Sequence, residues 1–113
     1  MTSIGISVFE GCISLERVKL SGSITIIEES TFSGCSSLNQ IFLPESLHEI
    51  GDYAFLKCSS LKSISFPSSL LIIGQGSFAD CTSLTKIVLP YSVSRIGEYA
   101  FYNCSSLMQK IIP

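Results

Sequence analysis

The sequence predicts a β-rich repeat solenoid, and three observations carry that prediction. Matching residue types recur every 23 positions through the 113 residues, and no column drifts. Each period holds a short apolar run that a proline closes. A unit this short cannot bury a face of its own, so neighbouring units must stack and share one continuous core.

The unit opens on phenylalanine, at Phe9, Phe32, Phe55, Phe78 and Phe101. Cysteine follows at Cys12, Cys35, Cys58, Cys81 and Cys104, then leucine at Leu15, Leu38, Leu61, Leu84 and Leu107. The run L-x-x-I-x-L continues through Val18, Ile41, Ile64 and Ile87 to Leu20, Leu43, Phe66 and Leu89. That spacing predicts a short strand, and successive strands stack in parallel about 4.8 Å apart, giving a stack roughly 20–25 Å long. Pro44, Pro67, Pro90 and Pro113 end the strand by removing a ladder donor, with Ser21 as the exception. Ile24, Leu47, Leu70 and Val93, with Ile4, Ile27, Ile50, Ile73 and Ile96, supply a second inward pair on the returning side. The G-x-x-A-F segment then fits a tight corner or a single helical turn, with Ala54 and Ala100 where backbones crowd. Gly11, Gly34, Asp80 and Asn103 precede their cysteines at a position that suits a left-handed backbone; Lys57 departs from that trend. The expected organisation is one solenoid over 1–113, about four and a half units: a partial first unit 1–8, repeats starting at 9, 32, 55 and 78, and a partial last unit 101–113.

The stretch Leu71 to Cys81, "LIIGQGSFADC", contains Gly74-x-Gly76-x-x-Ala79, the shape of a phosphate-binding loop. The repeat disposes of it. Gly74 aligns with Gly51 and Gly97, but Gly76 aligns with Tyr53 and Tyr99, so the glycines mark a repeat corner. A net charge of −2 gives no electrostatic reason to expect nucleic acid or an anionic membrane. The opening "MTSIGISVFEGC" lacks the basic and apolar regions of a signal peptide, and no segment has the ~18 apolar residues of a membrane span.

Five cysteines in one column predict a ladder of free thiols filling the core. Their side chains run parallel, and a straight row cannot wrap tetrahedrally around zinc. No metal and no cofactor is expected. His48, the only histidine, shares an outward column with Leu71 and Ser94. The serines of the Ser-Leu pairs, Ser14, Ser37, Ser60, Ser83 and Ser106, are expected to satisfy corner backbone groups. Glu28 and Glu29 read as solvated surface, and Asn103-Cys104-Ser105 reads as a chance match to a glycosylation acceptor. A base, its orienting partner and an oxyanion site cannot be assembled, so no catalytic residue is expected.

The unit F-x-x-C-x-S-L-x-x-I-x-L-P-x-x-[LV]-x-x-I-G-x-x-A resembles the BspA-like, treponemal-type, 23-residue leucine-rich repeat. The resemblance covers essentially the whole chain. It implies a curved right-handed superhelix with parallel strands on the concave side and short turns or single helical turns on the convex side. It also implies a surface or secreted protein acting in adhesion to host or matrix proteins or to other cells.

On that reading the concave face is the place for a protein ligand. Arg17, Gln40, Ser63, Lys86 and Gln109 form one outward column, and Lys19, Phe42, Ser65, Val88 and Ile111 the next. Phe42 and Val88 are apolar where nothing in the repeat requires it, and Tyr91 follows at the rim. With Arg17, Lys19, Gln40 and Lys86 they make a mixed basic–apolar patch, a composition favoured at protein interfaces. Bare solenoid ends suggest end-to-end self-association or a longer array, with Lys110 blunting the last cross-section. The alternative is a cytoplasmic repeat scaffold or array fragment without a ligand of its own.

Overall fold

The computed structural model describes residues 3–107 and 109–111, with side-chain environments for 3–107. Among these residues there are nine short strands and no helix. The repeat wraps into coils, and its strands fall into two systems.

The L-x-x-I-x-L runs form β2 (Arg17–Lys19), β4 (Gln40–Phe42), β7 (Lys86–Val88) and β9 (Gln109–Ile111). Pairing is parallel at the repeat register, Val18 opposite Ile41 and Lys86 opposite Gln109. The central residue of each described strand points inward while its neighbours are exposed, as a period of two demands. The third unit breaks this sheet. Ser63 makes one isolated bridge to Lys86, and no ladder joins Ser63 and Ser65 to β4. The break coincides with Phe66 in the column of Leu20, Leu43 and Leu89; its ring meets Phe78 edge to face, centroids 5.8 Å apart.

The unbroken sheet lies on the returning side, where inward packing was expected but not strand pairing. It comprises β1 (Ser3–Ile4), β3 (Ile26–Ile27), β5 (Glu49–Ile50), β6 (Ile72–Ile73) and β8 (Arg95–Ile96), all parallel in that order. Glycine follows Ile50, Ile73 and Ile96, and there it lets neighbouring coils approach closely. Gly51, Gly74 and Gly97 donate N–H bonds to the isoleucine carbonyl one coil earlier at 2.7–2.8 Å. A Cβ on Gly74 would stand 2.7 Å from the Gly51 carbonyl carbon, so only glycine lets the backbones close. Glu28 occupies the same column with a Cβ, and its bond to Ile4 lengthens to 3.1 Å.

The G-x-x-A-F segments are tight corners, the first of the two conformations expected. Their N–H groups reach across coils instead of up a helix: Phe32 to Ala54, Phe55 to Ser77 and Phe78 to Ala100, at 2.7–2.8 Å. Two left-handed columns impose this path. One is Ser7, Ser30, Tyr53, Gly76 and Tyr99; the other is Gly11, Gly34, Lys57, Asp80 and Asn103. The second column is the one expected before the cysteines, and Lys57 joins it at φ 60°.

The core is a set of ladders between these walls. Phe9, Phe32, Phe55, Phe78 and Phe101 stack nearly parallel at centroid spacings of 5.1–5.4 Å. Leu38, Leu61 and Leu84 are fully buried in the same core, as are Ile27, Ile50 and Ile73. The side chain of Lys110, and Pro113, lie outside the described residues.

Candidate functional site

The strand face carries the residues singled out for binding, in the predicted columns. Arg17 pairs in register with Gln40, and Lys19 with Phe42, which sets two exposed rows across β2 and β4. Lys86 and Val88 repeat those positions on β7. Phe42 is 51% exposed, Val88 48% and Tyr91 91%. The face is not one continuous platform, however. The break at Ser63 and Ser65 leaves a groove of about 200 Å³ bounded by Phe42, Leu43, Phe66 and Pro67. It separates the Arg17–Lys19–Gln40–Phe42 group from Lys86, Val88 and Tyr91.

A second, polar hollow of about 640 Å³ opens before the strands, among Glu16, Asn39, Gln40, Ser60, Lys62 and Ser63. The sequence reading had passed over Lys62 and its column Glu16, Asn39 and Thr85. The signal was present, because each of these residues immediately precedes an exposed strand position.

Charge divides between the faces. The L-x-x-I-x-L segments hold Arg17, Lys19, Lys62 and Lys86 against Glu16 alone among their described residues. The corner segments hold Glu10, Glu28, Glu29, Asp52, Asp80 and Glu98 against Lys57 alone. A small net charge therefore conceals a basic strand face and an acidic corner face.

The chemistry-bearing residues elsewhere are built into the scaffold. All five cysteines are free, Cys35, Cys58 and Cys81 buried and the end members half-buried. Each Sγ from Cys35 onward donates to the phenylalanine carbonyl one coil back, at 3.1–3.2 Å. Burial pushes these thiols up, Cys81 to about 12, with the neighbouring Cys104 adding to the shift. Cys58 rises further for the same first reason. Among the described residues no three His, Cys, Asp or Glu side chains converge to hold a metal ion. His48 is exposed beside Leu71 and Ser94 in its column.

Of the Ser-Leu serines, Ser60 meets its expected role, donating to the Ser36 carbonyl at 2.6 Å. A different serine column does comparable work: Ser46 donates to Ile24 and Ser69 to Leu47, both at 2.6 Å. Its next member, buried Ser92 Oγ, has no partner among the described residues. The glycines of "LIIGQGSFADC" belong to the corner: a strand precedes them, but turns and no helix follow. Asn103 holds Asp80 through its side-chain amide at 2.8 Å.

Comparison with known proteins agrees with this architecture. The sequence model described as "BspA type Leucine rich repeat region (6 copies)" matches residues 1–113. A leucine-rich repeat protein of T. pallidum is 46% identical over 95% of this chain and 50% of its own, with a TM-score of 0.94. One from Bacteroides ovatus is 36% identical over all of this chain and 29% of its own, TM-score 0.95. A leucine-rich cell surface protein from Faecalibacterium prausnitzii is 33% identical over 98% of this chain and 29% of its own, TM-score 0.94. The chain thus spans half the length of the first structure and under a third of the other two. A comparison with curated proteins finds no match. Leucine-rich repeats of this kind are generally non-catalytic protein-binding modules, and BspA-like members are typically surface-associated. No helix among the described residues is long and apolar enough to cross a membrane. Register, stacked ladders and sequence match together make this chain a member of the BspA-type leucine-rich repeat family.

Proposed function

We propose that the 113 residues form one non-catalytic binding module, four and a half units long, that acts in adhesion to a host or matrix protein through its strand face. The observation that carries this reading is the pairing of chemistry on that face. Phe42 and Val88 stand half-exposed among Arg17, Lys19 and Lys86, while the acidic residues gather on the corners. Such a surface offers apolar anchors for burial and cations for orientation and steering, and it fits a partner with an acidic, partly apolar surface. Gln40 and Tyr91 complete the contact set at the centre and the rim. Catalysis finds little purchase, since the buried thiols are held neutral. Antibody labelling of intact, unpermeabilised source cells, with binding of the chain to a panel of purified matrix proteins, tests the reading. Labelling that needs permeabilisation would favour a cytoplasmic scaffold instead.

The N-terminal end favours a second contact. Ile4, Val8, Phe9, Val18, Leu20 and Ile24 line an apolar hollow of about 360 Å³ there. We propose that another coil closes it, from a longer array or a second copy. Sedimentation showing a monomer at high concentration, with that hollow open, would remove the second copy.

A further inference from the structure

The acidic corner face carries a notch that strand-face binding does not use. Tyr53, Gly76 and Tyr99 share one repeat column, and Leu56, Ala79 and Tyr102 another. Small Gly76 and Ala79 between bulkier neighbours leave a hollow of about 540 Å³, which Asp80 also lines. The Tyr53 ring lies over Gly76, since a Cβ there would stand 2.6 Å from its Cε1. Tyr99 and Tyr102 meet edge to face with centroids 5.6 Å apart, and they are 62% and 59% exposed. Tyr53 and Tyr99 hold left-handed backbones, at φ 58° and 61°, a conformation that Gly76 adopts freely and tyrosine does not.

Asp80 is fixed in the notch. Its N–H donates to the Tyr102 carbonyl at 2.8 Å, and its Oδ1 accepts from Asn103 Nδ2 at 2.8 Å. Oδ2 has no partner among the described residues. Lys57, one coil back in the same column, makes no ion pair with it among those residues. Exposed phenol faces attract cations, and so does the carboxylate. A planar guanidinium satisfies both, stacking on a ring while its N–H groups meet the carboxylate. The surrounding corners carry Asp52 and Glu98, which favour the same charge.

We infer that this notch binds an arginine side chain of a partner protein. It is independent of the strand face, so either site can fail without the other.

The chain has no tryptophan and four tyrosines, three of them in the notch and Tyr91 outside it, so ring resonances report on the site directly. The experiment titrates the full chain with N-acetyl-arginine amide and, separately, with N-acetyl-lysine amide and the uncharged isostere N-acetyl-citrulline amide. Arginine is expected to shift the Tyr53, Tyr99 and Tyr102 rings saturably, leave Tyr91 in place, and bind more weakly as salt rises. Asp80→Asn, which tolerates the left-handed backbone, weakens binding about 10-fold, and Lys57→Ala tightens it. Equal shifts with citrulline, equal binding of N-acetyl-lysine amide, no saturable change, or undiminished binding by Asp80→Asn would each overturn the assignment. The citrulline comparison needs no variant, so it stands whatever a substitution does to folding.

Discussion

Lys57 shows the stack overruling a local preference. It sits at φ 60° between Gly34 and Asp80 because the coil-to-coil bonds leave no other path, the Lys57 N–H reaching the Ala79 carbonyl at 2.8 Å. A left-handed lysine is strained, whereas glycine is not but loses more chain entropy on folding. Lys57→Gly should therefore stabilise by about 0.5–1 kcal/mol. A thermal midpoint unchanged or lowered would show the strain is absent. The buried thiols make a second residue-scale prediction. Unfolded, they ionise near 9.0; folded, burial pushes Cys81 to about 12 and Cys58 beyond. Below pH 9 both states keep the proton, so stability does not change on this account. Above it the unfolded state sheds protons that the folded state retains, and stability falls as pH rises toward 12. Melting curves at about pH 8 and about pH 10.5 should show that loss, and Cys58→Ala with Cys81→Ala should shrink it; an identical drop in the variant would assign it elsewhere. Thiol labelling in the folded state should reach half-buried Cys12 and Cys104 before the three inner cysteines.

The strands differ in how firmly they are held. The five-stranded returning sheet is continuous, while the strand face splits into β2–β4 and β7–β9. Amide exchange should follow this division, with Gly51 and Gly74 protected and the amides of Ser63 to Phe66 exchanging markedly faster. Equal protection of the two segments would mean that the ladder is whole in solution. This contrast also marks what was legible in the sequence. Period, columns and inward residues could be read directly, because a packed ladder repeats its side chains at every coil. The returning strands could not be read as strands, since their two-residue length shows no alternation and their pairing depends on a backbone approach that glycine only permits. The break was equally hidden: Ser63 and Ser65 fit an outward strand pattern, and only the packed ring of Phe66 coincides with its loss. Arg17, Lys19, Gln40, Phe42, Lys86 and Val88 lie in two exposed columns with Tyr91 beside them, but the groove dividing them left no mark in the sequence.

At the scale of the whole molecule, folding sorts charge that is mixed along the chain. Arg17 and Lys19 lie between Glu10 and Glu28–Glu29 in the sequence, yet the coil carries strand and corner residues to different faces. A partner drawn to the strand face should therefore bind more weakly as salt rises, although the chain's net charge is only −2. The most direct measurement compares the intact chain with Phe42→Ala/Val88→Ala for binding to the matrix protein that the unaltered chain captures. Both residues are half-exposed and end no ladder bond by losing their side chains, so the variant should fold with an unchanged thermal midpoint. We predict a loss of affinity of about 10-fold or more with folding intact, as for apolar anchors at an interface centre. Undiminished binding by the folded variant would contradict the account and move the ligand away from the strand face.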